Sequence, residues 1–174
     1  WISSEINVPV IVKETGCGIS KEVAIKLEIA GVSAVNVAGL GGTSWAAVEH
    51  FRAKKRKMHN KAELGKLFWN WGIPTAVSLI EAKSSINIPI IASGGIRTGL
   101  DIAKCISLGA SLVGTAQPLL SPAVKSSKEV ITAIDKMIYE FKTSMFVTGS
   151  RTVSDLTNSR HIITGKLLEW QMTH

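Results

Sequence analysis

The stretch Ile88-Pro89-Ile90-Ile91-Ala92-Ser93-Gly94-Gly95-Ile96-Arg97-Thr98-Gly99 decides the fold of this chain. Its isoleucine-rich run is too short for a helix and is typical of a buried strand. Paired glycines let a backbone pass close to a ligand, and a helical pattern begins at Thr98. Because a helix N-terminus offers unpaired N–H groups and positive charge, the stretch predicts a phosphate-binding turn. The alternative is an ordinary tight turn between a strand and a helix.

Three further strand-and-helix units flank this one along the chain. The sequence predicts strands over residues 7–13, 32–38, 88–93 and 111–115, and helices over residues 21–30, 75–83, 98–108, 122–149 and 152–158, with a last helix after 164. Residues 45–71 carry a basic run and are predicted to end in a helix. Near-continuous apolar strands alternating with helices predict an α/β fold with a parallel sheet.

The number of units bears on the architecture. A closed (β/α)₈ barrel needs eight strands, and such barrels hold phosphate in the loops after the last two of them. Four units with the Gly94-Gly95 turn after the third strand therefore predict the C-terminal half of a TIM barrel, as one domain over residues 1–174. The chain starts at Trp1 without an initiating methionine, and we expect it to be a fragment of a longer protein.

Composition narrows the class of protein. The 174 residues are 45% hydrophobic and 19% charged, with two cysteines and a net charge of +7. No apolar run reaches the roughly 18–20 residues of a membrane span, and no signal peptide is visible. Two cysteines make no disulfide framework, so we expect reduced thiols in a cytoplasmic protein.

Much of the positive charge lies in the basic run, residues 50–61. The run is either a solvated helix or loop face, or it attracts an anionic small substrate. A nucleic-acid role is disfavoured because no nucleic-acid-binding motif accompanies the run.

Four side chains near the strand ends are candidates for chemistry. Lys13 ends the first strand, where it either supplies positive charge to a ligand pocket or is exposed past the sheet. Arg97 either binds a phosphate or lies on the first helical turn, and Thr43 either binds a phosphate or caps a helix. Glu49 is either an acid/base group or an exposed helix carboxylate. The histidines lack metal-ligand spacing, so no metal site is predicted within the chain.

Four motifs in order resemble those of one family: Val12-Lys13-Glu14-Thr15-Gly16, residues 37–45 (Val-Ala-Gly-Leu-Gly-Gly-Thr-Ser-Trp), residues 91–99, and Thr148-Gly149-Ser150. Together they resemble the C-terminal half of the FMN-dependent, type 2 isopentenyl-diphosphate isomerases, particularly archaeal ones. The loop at 38–45 is the most specific motif, because the Ser-Gly-Gly turn occurs in many FMN barrels.

The resemblance implies a TIM barrel that interconverts isopentenyl and dimethylallyl diphosphates for isoprenoid biosynthesis. It implies reduced FMN as acid/base, NADPH to reduce it, Mg²⁺, and a homo-oligomer, tetrameric or octameric. By motif, Lys13 would lie beside the flavin ring and Glu49 near the substrate, while the remaining FMN-binding positions would be Thr43, Gly94, Gly95, Ile96, Arg97, Ala116 and Gln117. The Mg²⁺ ligand and much of the diphosphate site belong to the family's N-terminal half, so we expect this chain alone to be inactive.

Two other functions remain open. An FMN-dependent TIM-barrel oxidoreductase would share the phosphate loops but transfer hydride to its substrate. A non-catalytic half-barrel would only bind phosphate ligands or pair with itself. We expect neither nucleic-acid nor membrane binding.

Overall fold

A four-stranded parallel sheet organises the protein, whose structure is a computed structural model that describes residues 2–173. The strands are β1 (Ile11–Lys13), β2 (Ala34–Asn36), β3 (Ile90–Ala92) and β4 (Leu112–Val113), in the spatial order β1-β2-β3-β4. Each strand is parallel to its neighbour, with Val35 opposite Ile90 in the β2–β3 register. The predicted α/β class and the four predicted strands are confirmed.

Helices connect and cover the strands. They are α1 (Ile2–Glu5), α2 (Lys21–Ile29), α3 (Trp45–Lys55), α4 (His59–Leu67), α5 (Thr75–Lys83), α6 (Gly99–Ser107), α7 (Gln117–Lys125), α8 (Ser127–Val147), α9 (Val153–Thr157) and α10 (Lys166–Thr173). Within the described residues no helix is long and apolar enough to cross a membrane.

The core lies between the sheet and the helices on its outer side. Val35, Leu79 and Ala92 are completely inaccessible to solvent and pack in one cluster with residues of α2 and α6. Because parallel strands are covered by the helices that connect them, their sequences are apolar without alternation. The apolar runs that predicted these strands are therefore the inner part of the core.

Both edges of the sheet are open. Within residues 2–173 no strand pairs with the outer side of β1 or of β4, and Ile11 and Leu112 on these edge strands are largely exposed. A parallel sheet normally covers such edges or closes into a barrel. This open arrangement is what half of a barrel would present.

Several predicted boundaries are wrong. The single helix predicted over residues 122–149 is instead α7 followed by α8, and α7 already begins at Gln117. Pro118 fits the first turn of α7, where no backbone N–H is required. Extended backbone at Ser126 separates the two helices, and the Ser126 hydroxyl accepts a hydrogen bond from Glu129 N at 3.2 Å.

The basic run lies on a helical hairpin made of α3 and α4, where one helix was predicted. His50 is buried at its centre, with Nδ1 2.7 Å from Ala62 O and its ring edge-on to Phe51 and Trp69. Only an Nδ1–H can bond a carbonyl oxygen, so this nitrogen carries the proton. None of the hairpin's lysines or arginines lines the cavity described below.

Candidate functional site: a cavity at the carboxyl ends of the strands

A cavity of about 630 Å³ lies at the carboxyl ends of the four strands. In parallel α/β folds this is the end that binds ligands. Its walls are formed by the residues that follow each strand: Lys13, Gly16, Asn36, Ala38, Gly39, Gly42, Thr43, Ser93, Gly94, Gly95, Ile96, Arg97, Gly114, Thr115, Ala116 and Gln117. All eight residues that the sequence predicted to bind a cofactor are among them, and Glu49 is not.

Two glycine-rich turns form one wall by packing directly on each other. A Cβ on Gly94 would lie 2.1 Å from Gly39 O, and a Cβ on Gly95 would lie 2.6 Å from Gly41 O. Both Gly94 (φ +102°) and Gly95 (φ +76°) also have backbone angles that side chains rarely adopt. Glycine is therefore required at 94 and 95 by the neighbouring loop as well as by the turn itself.

Two threonines hold the 94–97 turn in place. Thr75 at the start of α5 donates its hydroxyl to Gly94 O at 2.7 Å, with Ser93 O at 3.2 Å. Thr115, after β4, donates its hydroxyl to Ile96 O at 2.7 Å. The carbonyl oxygens of Gly94 and Ile96 thus accept hydrogen bonds from protein hydroxyls.

The backbone N–H groups of this wall are available to a ligand. Among residues 2–173, no acceptor within hydrogen-bonding distance contacts the N–H of Gly95, Ile96 or Ala116. Ala116 directly precedes α7, whose N-terminus carries partial positive charge. Unpaired amides beside a helix N-terminus are an anion-binding arrangement.

Arg97 reinforces that positive potential. Its guanidinium donates to Gly95 O (Nη1, 3.1 Å) and Gly41 O (Nη2, 3.2 Å), which ties the two glycine turns together. These two bonds leave other guanidinium N–H groups free, and a phosphate oxygen is a strong acceptor for them.

Behind this turn, α6 begins with a capping box. Asp101 accepts hydrogen bonds from Thr98 and from Arg97 N. Partial burial raises the pKa of Asp101, but these hydrogen bonds lower it by more, so the pKa lies below its ordinary value.

Lys13 lies on the opposite side of the cavity, at the end of β1. No carboxylate in the described part of the chain lies within 4.0 Å of its ammonium group. The adjacent Glu14 is engaged elsewhere, since Oε2 accepts hydrogen bonds from the N–H groups of Gly16, Cys17 and Gly18. Lys13 is therefore a cation available to a bound anion.

The sequence did not identify Asn36 as a site residue. Its Oδ1 accepts hydrogen bonds from Ser93 Oγ at 2.7 Å and from Ala38 N at 3.2 Å, on the cavity floor. The second strand was predicted to end at Ala38, whereas it ends at Asn36. An amide within an otherwise apolar strand was the signal that would have found it. Ala38 itself has a φ of +35°, a strained value typical of functional sites.

Thr43 and Glu49 differ in their position. Thr43 lines the cavity, and the helix cap is its neighbour Ser44, whose hydroxyl accepts from Ala47 N at 3.2 Å. Glu49 lies outside the cavity on an exposed part of α3, where its Oε1 is 2.6 Å from Arg52 Nη1. The catalytic role predicted for Glu49 has no support from the geometry of the cavity and stays a prediction.

The sequence pattern that defines the FMN-dependent dehydrogenases matches residues 1–164. The chain belongs to this family. The free amides, paired glycines and basic side chains of its cavity fit the phosphate of a flavin mononucleotide. The curated relatives that it resembles include archaeal proteins named isopentenyl-diphosphate delta-isomerase.

Two such relatives are similar along almost the whole chain. The protein from Methanothermobacter thermautotrophicus is 53% identical over 169 residues, which are 97% of this chain and 47% of the relative. The protein from Pyrococcus furiosus is 52% identical over 174 residues, covering 97% of this chain and 42% of the relative. The chain thus spans about half the length of the curated relatives it matches.

Solved structures share the fold. A lactate oxidase from Pediococcus acidilactici superposes with a TM-score of 0.70 at 26% identity, covering 91% of this chain and 38% of the oxidase. A mandelate oxidase superposes with a TM-score of 0.66 at 19% identity, over 91% of this chain and 39% of the oxidase. The chain covers about 40% of each of these longer proteins, which agrees with the predicted half-barrel.

Proposed function

We propose that the full-length protein interconverts isopentenyl and dimethylallyl diphosphates with reduced FMN bound in this cavity. The observation that carries the proposal is the identity of about half its residues with named isomerases, in a chain whose strand ends form an anion-binding cavity. Reduced FMN would supply the proton-transfer group for the alkene. NADPH, Mg²⁺, a homo-oligomeric assembly and a cytoplasmic location belong to the same proposal.

The phosphate end of the cofactor would lie against the glycine turns. The N–H groups of Gly95, Ile96 and Ala116 would donate to phosphate oxygens, and the guanidinium of Arg97 would donate from the side. Thr75 and Thr115 act as positioning residues because they fix the carbonyls of the same turn. Gln117 and Thr43 supply polar side chains at the rim.

Lys13 would act on the flavin ring. Reduction adds negative charge to the isoalloxazine, and a nearby ammonium group stabilises that charge. We therefore expect Lys13 to favour the reduced cofactor over the oxidised one. Asn36 and Ser93 lie between these two ends of the cavity, where their mutual hydrogen bond fixes the floor.

The test uses the full-length protein with FMN, Mg²⁺ and NADPH, supplied with isopentenyl diphosphate. We expect dimethylallyl diphosphate to form in large excess over the NADPH consumed. Lys13→Met should lower turnover and the affinity for reduced FMN at least tenfold, whereas Lys26→Met, on the outer helix α2, should change neither.

An FMN-dependent oxidoreductase is the second candidate, favoured by the fold shared with oxidases. Consumption of one NADPH per substrate turned over would support it and would refute the isomerase. A protein that folds but never binds FMN would refute both and leave a phosphate-binding half-barrel.

A further inference from the structure

A second cavity, of about 530 Å³, lies on the outer side of the sheet beside α6. It is roofed by residues 158–165, which connect α9 to α10 and are called the strap below. Its walls come from the start of α5, the turn at 95–96, α6, the end of α8, α9, the strap and the start of α10. The volume lies in the range of about 300–1,000 Å³ that small-molecule pockets occupy.

The strap is fixed at both ends. Near its start, Ser107 Oγ on α6 lies 3.4 Å from Ser159 Oγ and 3.3 Å from His161 Nδ1. Beyond its far end, Trp170 Nε1 on α10 donates to Glu81 Oε1 on α5 at 2.9 Å. The strap therefore crosses from α6 to α5 and encloses the space between them.

Most of the cavity wall is apolar. Leu100 and Ala103 on α6 contribute one side, Leu156 on α9 another, and Ile163 and Leu167 the roof. Such a surface favours an apolar ligand because burial in it releases water from both partners.

Two basic side chains line the cavity, Lys104 on α6 and Arg160 on the strap. Lys104 lies one helical turn before Ser107 on α6, so both point to the same side, and Ser107 holds the strap beside Arg160. Neither Lys104 nor Arg160 has a carboxylate within 4.0 Å in the described part of the chain. Among residues 2–173, Asp101 is the sole carboxylate of the wall; it accepts the capping hydrogen bonds of α6 and interacts electrostatically with Lys104.

We propose that this cavity binds an amphiphile with one short apolar chain and an anionic head group. The chain would lie along Leu100, Ala103 and Leu156, and the head group would contact Lys104 and Arg160. This proposal does not depend on the reaction that the protein catalyses.

The second cavity shares part of its wall with the first, so a ligand bound in one can affect binding in the other. Gly95 and Ile96 line both cavities, and Thr75, which holds Gly94 O, lines the second. A ligand here would contact the turn that we assign to the FMN phosphate. Any effect of the amphiphile on FMN affinity must then be matched by an equal effect of FMN on the amphiphile.

The test is calorimetric titration of the FMN-loaded, full-length protein with octanoate, alongside octan-1-ol and acetate. We expect octanoate to bind at one site per chain, at least tenfold more tightly than the alcohol, which lacks the charge, or acetate, which lacks the chain. Equal binding of either control would overturn the proposal, as would no binding of octanoate.

Variants locate the site. Leu100→Trp, at a half-exposed position, should fill the cavity and abolish binding, and the double change Lys104→Glu with Arg160→Glu should weaken it at least tenfold. The double change Lys125→Glu with Lys128→Glu, an equal charge change at exposed residues on the end of α7 and the start of α8, should have no effect. Octanoate binding that survives both cavity variants would place the ligand elsewhere and refute the proposal.

A labelling experiment on the unmodified protein does not depend on the variants folding. Cys105 lines the cavity and is buried, whereas Cys17 lies outside it and is half-buried. Burial raises the pKa of Cys105 to about 11, so labelling with methyl methanethiosulfonate is run at alkaline pH. Octanoate should slow the labelling of Cys105 relative to Cys17, and equal rates with and without octanoate would contradict the proposal.

Discussion

Replacing Gly95 with alanine tests the packing of the two glycine turns. The new Cβ would lie 2.6 Å from Gly41 O and 2.7 Å from Gly41 C, which are backbone atoms and cannot rotate away. The substitution also forces a side chain into a φ of +76°. Two separate costs therefore act at one position.

The magnitudes can be separated with a matched control. A left-handed backbone costs a non-glycine residue about 1–2 kcal/mol, and overpacking a close contact costs about 1–3 kcal/mol. Gly95→Ala should then destabilise by about 2–5 kcal/mol. Gly31 has nearly the same φ, +79°, but its nearest neighbour for a Cβ is Ser3 Cβ at 3.8 Å. Gly31→Ala should lose only the stability that the left-handed backbone costs, about 1–2 kcal/mol.

The assay is urea unfolding of the full-length protein with FMN removed, because bound cofactor would add to the stability. Gly95→Ala should unfold at clearly lower urea than Gly31→Ala, with the slope of each transition unchanged. Restored FMN should bind more weakly to Gly95→Ala and normally to Gly31→Ala. Equal loss of stability in the two variants would refute the interlocked packing.

Three further changes test other contacts. Thr115→Val removes the hydroxyl that donates to Ile96 O at 2.7 Å. The free energy of unfolding should fall by about 1–3 kcal/mol, and FMN should bind more weakly. A folded variant with normal FMN affinity would contradict this expectation. The pKa of Asp101 is lower in the folded protein than in the unfolded chain. The ionised carboxylate therefore stabilises the fold above about pH 4, and this stabilisation is lost as the pH falls through the pKa of the folded protein. Asp101→Asn should remove the loss of stability that comes from this group, measured by thermal unfolding from pH 2 to 6. His50→Ala removes the hydrogen bond to Ala62 O and the ring contacts with Phe51 and Trp69, and should cost about 1–3 kcal/mol by urea unfolding, with no change in FMN affinity.

The sequence predicted the parts of the fold that local physics controls. Apolar runs such as Ile90–Ala92 and the start of a helix at Thr98 are read from neighbouring residues alone; the strand is confirmed, and the helix begins at Gly99 with Thr98 as its N-cap. The eight cofactor-binding candidates converge on one cavity because residues that follow parallel strands meet at one end of a sheet.

What the sequence missed depends on contacts between distant segments. Thr75 holds Gly94 across 19 residues of sequence, and Ser93 bonds Asn36 across 57. The division at Ser126 was missed because a serine within a helical pattern is as compatible with an exposed helix position as with a cap. The strap and the cavity under it arise from tertiary packing, which periodicity does not report.

The contact between residues 39–41 and 94–95 limits how this region can be changed. The carbonyl oxygens of Gly39 and Gly41 exclude a side chain at positions 94 and 95, and Thr75 excludes one at Gly39, so Gly39, Gly94 and Gly95 cannot be substituted while their neighbours stay fixed. Transferring the Ser93–Arg97 segment alone into another barrel would transfer only one of the two turns that pack on each other. Residues 39–41 and Thr75 have to be transferred with it.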